Sequence, residues 1–120
     1  MNDDIIVAIA TSRQEAAISI IRLSGKGCIE FVSEMFTGNI IHKSSHTITY
    51  GYIVDEDKKI DEVLVNIYRA PRTFTAEDMV EINCHGGIYI TNRILSLCLK
   101  RGARMAEHGE FTKRAFLNGR

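Results

Sequence analysis

Glu81 is the charged residue that stands out in this chain. It lies within Met79-VEIN-Cys84, an apolar run where a carboxylate is costly to bury without a partner. Two arrangements would satisfy it. One is an ion pair with an internal cation, and Arg22, midway along Ala17-ISIIRL-Ser24, is the candidate. The other is a place on a cleft, where a ligand brings the hydrogen-bond donors. On the residues alone the ion pair ranks slightly ahead. Alternation puts Arg22 on the face of Ile18 and Ile20, and Glu81 on the face of Met79 and Asn83.

Two glycine-bearing segments invite a phosphate reading. Ser24-Gly25-Lys26-Gly27 follows a strand and opens a helix, but Lys26 is followed by Gly27 and no glycine lies five residues before Gly25. The phosphate-loop pattern is therefore not met, and a plain helix start with Ser24 as N-cap is expected. His85-Gly86-Gly87 lies between a strand and a helix, where backbone N–H groups can approach an anion. A steric turn is the first reading there, because glycine serves tight turns for that reason alone. His42, His46 and His108 lack metal-ligand spacing with His85. No Ser-His-Asp or Cys-His arrangement is recoverable, and no carboxylate pair has spacing suited to acid–base work. Cys28, Cys84 and Cys98 are odd in number and widely spaced, which offers neither a disulfide framework nor a CxxC pair. Cys28 and Cys98 fall on apolar helix faces as small hydrophobes.

These residues are set on a simple series of elements. Asp4-IIVAIA-Thr11 reads as a strand buried on both faces, and the polar stretch Thr11-SRQE-Ala16 links it to the strand carrying Arg22. A helix is expected from about residue 25 to 36, with Cys28, Phe31, Val32, Met35 and Phe36 in one stripe, ended by Gly38 and Asn39. His46-TITYGYIV-Asp55, the charged turn Glu56-DK-Lys59 and Ile60-DEVLVNIYR-Ala70 make a hairpin. In its second arm Val63, Val65 and Ile67 alternate with Leu64, Asn66 and Tyr68. Pro71 marks the exit. The strand carrying Glu81 follows, then a helix from about 88 to 101 with Ile90, Ile94, Leu97 and Cys98 inward, stopped by Gly102. A strand-like Ala103-RMA segment and a short amphipathic helix complete the order, which fits an α+β domain with a mixed sheet and two main helices.

Composition sets the outer bounds. The 120 residues amount to one domain, 45% hydrophobic and 25% charged, which rules out disorder and fibrous repeats. Lys plus Arg equals Asp plus Glu at 15 each, so no net basic field is available for nucleic acid. No apolar run approaches the roughly 20 residues of a membrane span, and Asp3 and Asp4 spoil a signal-peptide start. A soluble, cytoplasmic domain is expected. Phe111, Phe116 and Leu117 seek a partner surface, so Arg120 reads as a boundary within a longer chain.

Three separated blocks, Arg22-LSG-Lys26, Phe74-TAEDMVEINCHGG-Ile88 and His108-GEFTKRAFLNG-Arg120, resemble the N-terminal domain of the MnmE (TrmE) family, tRNA-modifying GTPases that act on the wobble uridine. The likeness runs from about Asp4 to Arg120 and departs clearly only at Ser12-RQEA-Ala17, where many members carry a Pro- and Gly-rich loop. The resemblance implies a folate-binding and dimerisation domain over residues 1–120, similar to half of the tetrahydrofolate-binding domain of T-protein-like enzymes and completed by homodimerisation. It maps folate contacts onto Arg22, Glu81 and Arg120, the last standing where some relatives have lysine. It implies a tetrahydrofolate derivative, in the 5-formyl or 5,10-methylene form. GTP, Mg and K belong to a GTP-binding domain that these residues do not contain, as does the GTP hydrolase activity, so no turnover is expected from them alone. The implied partners are a second copy, an FAD-dependent protein of the MnmG family, and tRNA through that complex, with no membrane. A pure dimerisation scaffold in which Glu81 and Arg22 are structural is the alternative, and an RNA-contacting module, disfavoured by the neutral charge, is a third.

Overall fold

The computed structural model describes residues 4–11 and 18–120. The expected link between the first two strands, with its departure from the family pattern, lies outside the described residues. The elements run β1 Ile6–Ile9, β2 Ile18–Ser24, α1 Cys28–Ser33, β3 Thr47–Asp55, β4 Lys58–Tyr68, β5 Met79–His85, α2 Ile88–Lys100, β6 Arg104–Met105 and α3 Glu110–Leu117. The six strands form one mixed sheet in the order β3-β4-β5-β2-β1-β6, antiparallel throughout except where β6 pairs parallel to β1. This is the expected α+β class, with α3 a third helix beside the two main ones.

Strand alternation decides which side is core. Val7, Ile21, Leu23, Val65, Ile67, Val80, Ile82 and Cys84 point to one face and are covered by Cys28, Ile29 and Val32 of α1 and Ile94, Leu97 and Cys98 of α2. The three cysteines are free and buried, and burial pushes the Cys98 thiol up to about 12 and that of Cys84 up to about 11. They are packing groups, unreactive as thiolates near neutral pH.

The opposite face carries Ile18, Ile48, Tyr50 and Leu64, all exposed, together with Arg22, Tyr68 and Glu81. β1 is less covered than its composition implies: Ile6 and Val7 are fully buried, while Ala8 and Ile9 are only partly so. α3 reaches this second face at the β1 end, where the Phe111 ring lies 5.9 Å from the Arg22 guanidinium.

Two expectations need correction. α1 spans six residues rather than the dozen that the apolar stripe implied. Gly25 (φ 146°) and Gly27 (φ 85°) hold its start out of helical geometry, and Gly27, not Ser24, is the N-cap. Beyond Ser33 the chain abandons the helix to pair with β3: Phe36 bridges to Ile53, and the Val54 N–H donates to the Met35 carbonyl at 2.9 Å. Met35 and Phe36 are still buried, but from a turn. The hairpin turn is also tighter than the charged tetrad implied, because Glu56 adopts a left-handed φ of 56° and β4 starts at Lys58.

Candidate ligand site

Arg22 and Glu81 face each other across the β2–β5 ladder, in direct register. The Arg22 Nε donates to Glu81 Oε2 at 2.8 Å, and the side chains stay 31% and 18% exposed. The pair is therefore made, yet it is not sealed. The Tyr68 hydroxyl donates to Glu81 Oε1 at 3.3 Å, long for an O–H···O bond, and itself accepts from Asn66 Nδ2 at 3.2 Å. Arg22 uses its Nε for this contact, so its terminal nitrogens, the fork that grips carboxylates and carbonyls, lie outside it.

A cavity of about 500 Å3 opens beside this pair, and Arg22, Glu81 and Arg120 all line it. Each arrives by a different route. Strand alternation delivers Arg22 and Glu81. Arg120 follows α3, whose C-terminal turn is closed by a bond from the Arg120 N–H to the Ala115 carbonyl at 2.9 Å, with Gly119 at φ 84° making the reversal. Sequence reading missed the remaining wall. Tyr68 comes from β4, His46 stands edge-on to the Tyr68 ring at 5.1 Å between centroids, and Arg72, Thr73 and Phe74 come from the loop between β4 and β5. Phe74 (44% exposed) and Met79 supply apolar surface. Three arginines against one carboxylate make the lining cationic, and the apolar wall suits a flat ring. The phase of Leu64-Asn66-Tyr68 against Val63-Val65-Ile67 was the available signal for Tyr68; the loop residues carried none.

The other singled-out segments resolve as structure. The His85 N–H and its Nδ1 each lie 2.8 Å from the Asp61 carboxylate, which raises the imidazole pKa above its ordinary value. Gly87, at φ 107°, is the N-cap of α2. Ser24 is buried, its hydroxyl 2.7 Å from both Thr75 Oγ1 and Glu77 Oε1. Among the described residues no group of three or more His, Cys, Asp or Glu could hold a metal ion.

One polar cluster had no counterpart in the sequence reading. Arg114 of α3 is 1% exposed and pairs with Asp4, Glu77 and Glu110. Arg104 joins the same cluster through Asp4 and Glu110, and its hydrogen bond is the main reason the Asp4 carboxyl is held down near 2.

A single α+β sheet, helical on one face and bearing an arginine–carboxylate cavity on the other, is the class that fold and site define. Residues 5–120 match the family model described as GTP-binding protein TrmE N-terminus, and the chain belongs to that family. It is 58% identical over 120 residues to the tRNA modification GTPase MnmE of Lactobacillus acidophilus and 58% identical over 118 residues to that of Streptococcus thermophilus. It is 59% identical over 120 residues to that of Lacticaseibacillus paracasei. Each comparison covers 98% of this chain and 26% of the relative, so the chain spans about a quarter of the proteins it matches.

Proposed function

We propose that this chain is the tetrahydrofolate-binding, dimer-forming N-terminal domain of a GTPase that takes part in wobble-uridine modification of tRNA. The observation that carries the ligand is the convergence of Arg22, Glu81 and Arg120, distant in sequence, on one cavity. Its volume of about 500 Å3 lies within the range of roughly 300–1,000 Å3 usual for small-molecule sites. A reduced pterin presents adjacent N–H donors along one edge, and the Glu81 carboxylate, with Oε1 lightly engaged, is suited to accept them. Arg22 and Arg120 are suited to the carboxylates of the glutamyl tail or the pterin carbonyl, and Phe74 to the ring face.

The uncovered sheet face supports the dimer. Ile18, Ile48, Tyr50 and Leu64 expose apolar surface on the same side as the cavity, as half of a T-protein-like domain would before a second copy covers it. The relatives are tRNA modification GTPases, and that supports only the tRNA-modification and GTPase parts of the reading. GTP with Mg and K, the FAD-dependent MnmG-family partner, tRNA and a place in the cytoplasm belong to the proposal for the longer protein and rest on the family resemblance. Among the described residues no helix is long and apolar enough to cross a membrane.

One observation favours the scaffold reading, in which the site is structural: the closed Arg22–Glu81 pair. Calorimetric titration of this chain with 5-formyltetrahydrofolate separates the two. Saturable heat in the wild type, reduced at least tenfold in affinity by Glu81→Gln (a charge-assisted contact contributes about 1.5–3 kcal/mol), is the expected outcome. Absence of heat and of any thermal shift at millimolar folate overturns the ligand and leaves the scaffold.

A further inference from the structure

We propose that Arg114 is a positioning residue for the cavity: through Glu77 it fixes the loop that forms one wall, and from the same helix it fixes the chain segment that carries Arg120. The identity of the ligand used to test this rests on the folate reading above; the fixing itself does not.

The wall residues Arg72, Thr73 and Phe74 lie between β4 and β5, outside the strand ladders, so something other than the sheet must set their place. The loop is held from behind. The Thr73 hydroxyl donates to the Glu77 carbonyl at 2.6 Å, and the Glu77 N–H donates to Thr75 Oγ1 at 3.2 Å. The Glu77 side chain then leaves the loop: Oε1 accepts from the Ser24 hydroxyl at 2.7 Å and from Arg114 Nη1 at 3.2 Å. The same Nη1 donates to the Asp4 carbonyl at 2.9 Å, and Nη2 pairs with the Asp4 carboxylate. At the C-cap of α3, Asn118 Nδ2 donates to the Thr75 carbonyl at 2.9 Å. Two residues beyond Asn118 the chain delivers Arg120 to the lining of the same cavity.

Neither Arg114 nor Glu77 lines the cavity, so each would act on a ligand only through the residues it holds. The choice of arginine is informative. A buried guanidinium costs several kcal/mol to desolvate, and an apolar side chain of similar size fills such a space as well or better. What arginine adds is the fork, which serves Glu77 on the loop and Asp4 on the approach to β1 at once, a geometry that the point charge of lysine does not reproduce. Among the described residues the buried Nε has no partner, so the contacts are carried by the terminal nitrogens.

The test compares wild type, Glu77→Gln, Arg114→Lys, the double variant and Asp4→Asn, which removes an Arg114 partner on the side away from the loop. Three quantities are measured: the Kd for 5-formyltetrahydrofolate, hydrogen exchange of amides 72–77 without ligand, and the urea midpoint. Glu77→Gln and Arg114→Lys are each expected to raise Kd about tenfold, the scale on which outer hydrogen-bond partners act at metal sites. They are also expected to quicken exchange in 72–77. The double variant is expected to add little to the worse single, because both cut the same link. Asp4→Asn is expected to lower the urea midpoint while leaving Kd and loop exchange unaltered. Unaltered Kd and loop exchange in Glu77→Gln overturn the proposal, as does a Kd in Asp4→Asn that rises in step with lost stability. Should Arg114→Lys fail to fold, Glu77→Gln decides alone. Should the wild type bind no folate, the ligand reading fails separately, and the exchange comparison decides whether the loop is fixed in this way.

Discussion

His85 and Asp61 show how a residue with the look of a catalyst can be accounted for locally. The Asp61 carboxylate accepts both the backbone N–H of His85 and a contact from its ring Nδ1, and that hydrogen bond raises the His85 pKa above 6.5. Because the folded value is the higher one, the pair favours the folded state fully below pH 6.5. That contribution is lost as pH rises through the folded pKa of His85. The ring is 64% exposed, so solvent keeps the contribution small. Asp61→Asn is expected to return the His85 titration, followed by its ring proton resonances, toward 6.5. A titration midpoint that does not move would show that Asp61 is not the cause of the shift. Glu81 differs in kind: its partner leaves it partly exposed beside a cavity, and this is why it, and not His85, is the candidate ligand residue.

Among the elements, strands were more legible than the first helix, and packing explains the difference. Val63, Val65 and Ile67 alternate with Leu64, Asn66 and Tyr68, and a period of two assigns each residue to a face wherever the strand pairs. That rule placed Arg22 and Glu81 on strands, although their meeting needed the β2–β5 register as well. The stripe through Cys28, Val32 and Phe36 was real as burial, and as helix only up to Ser33, because the chain turns there and Phe36 leaves the helix to bridge to Ile53, a strand residue seventeen positions further on. What anchors that turn is the Phe36 ring, seated against two glycines. A Cβ on Gly51 would lie 2.7 Å from the ring and 2.9 Å from the Gly38 nitrogen. Gly51→Ala is therefore expected to destabilise the fold by about 1–3 kcal/mol, the usual cost of overpacking a core. Urea denaturation measures it, and a loss below 0.5 kcal/mol, the scatter of ordinary surface changes, would mean that the ring simply moves aside. The burial of Arg114 was illegible for a related reason: beyond the local i,i+4 pair with Glu110, its partners Glu77 and Asp4 are 37 and 110 residues away, and no local pattern reports such distances.

For the whole molecule the governing feature is the inequality of the sheet's two faces. One is roofed by α1 and α2, while the other leaves Ile18 at 60%, Ile48 at 62% and Leu64 at 45% exposed. Scattered apolar residues on a surface need no explanation, but these belong to β2, β3 and β4 on one side of one sheet, the side that bears the cavity. If a second copy covers that side, as proposed, a charge in its midst has a predictable effect. In the monomer the Leu64 side chain already meets water, so Leu64→Lys is expected to change monomer stability by no more than about 0.5 kcal/mol. In the dimer the same ammonium, brought opposite apolar surface by the symmetry of the pairing, would be desolvated in both copies. Sedimentation at tens of micromolar is expected to find the wild type as a dimer and Leu64→Lys as a folded monomer. A wild type that sediments as a monomer there removes the second copy from the proposal. A Leu64→Lys protein that remains dimeric moves the contact to another surface, and the exposed Phe116 and Leu117 of α3 are then the next to be tested.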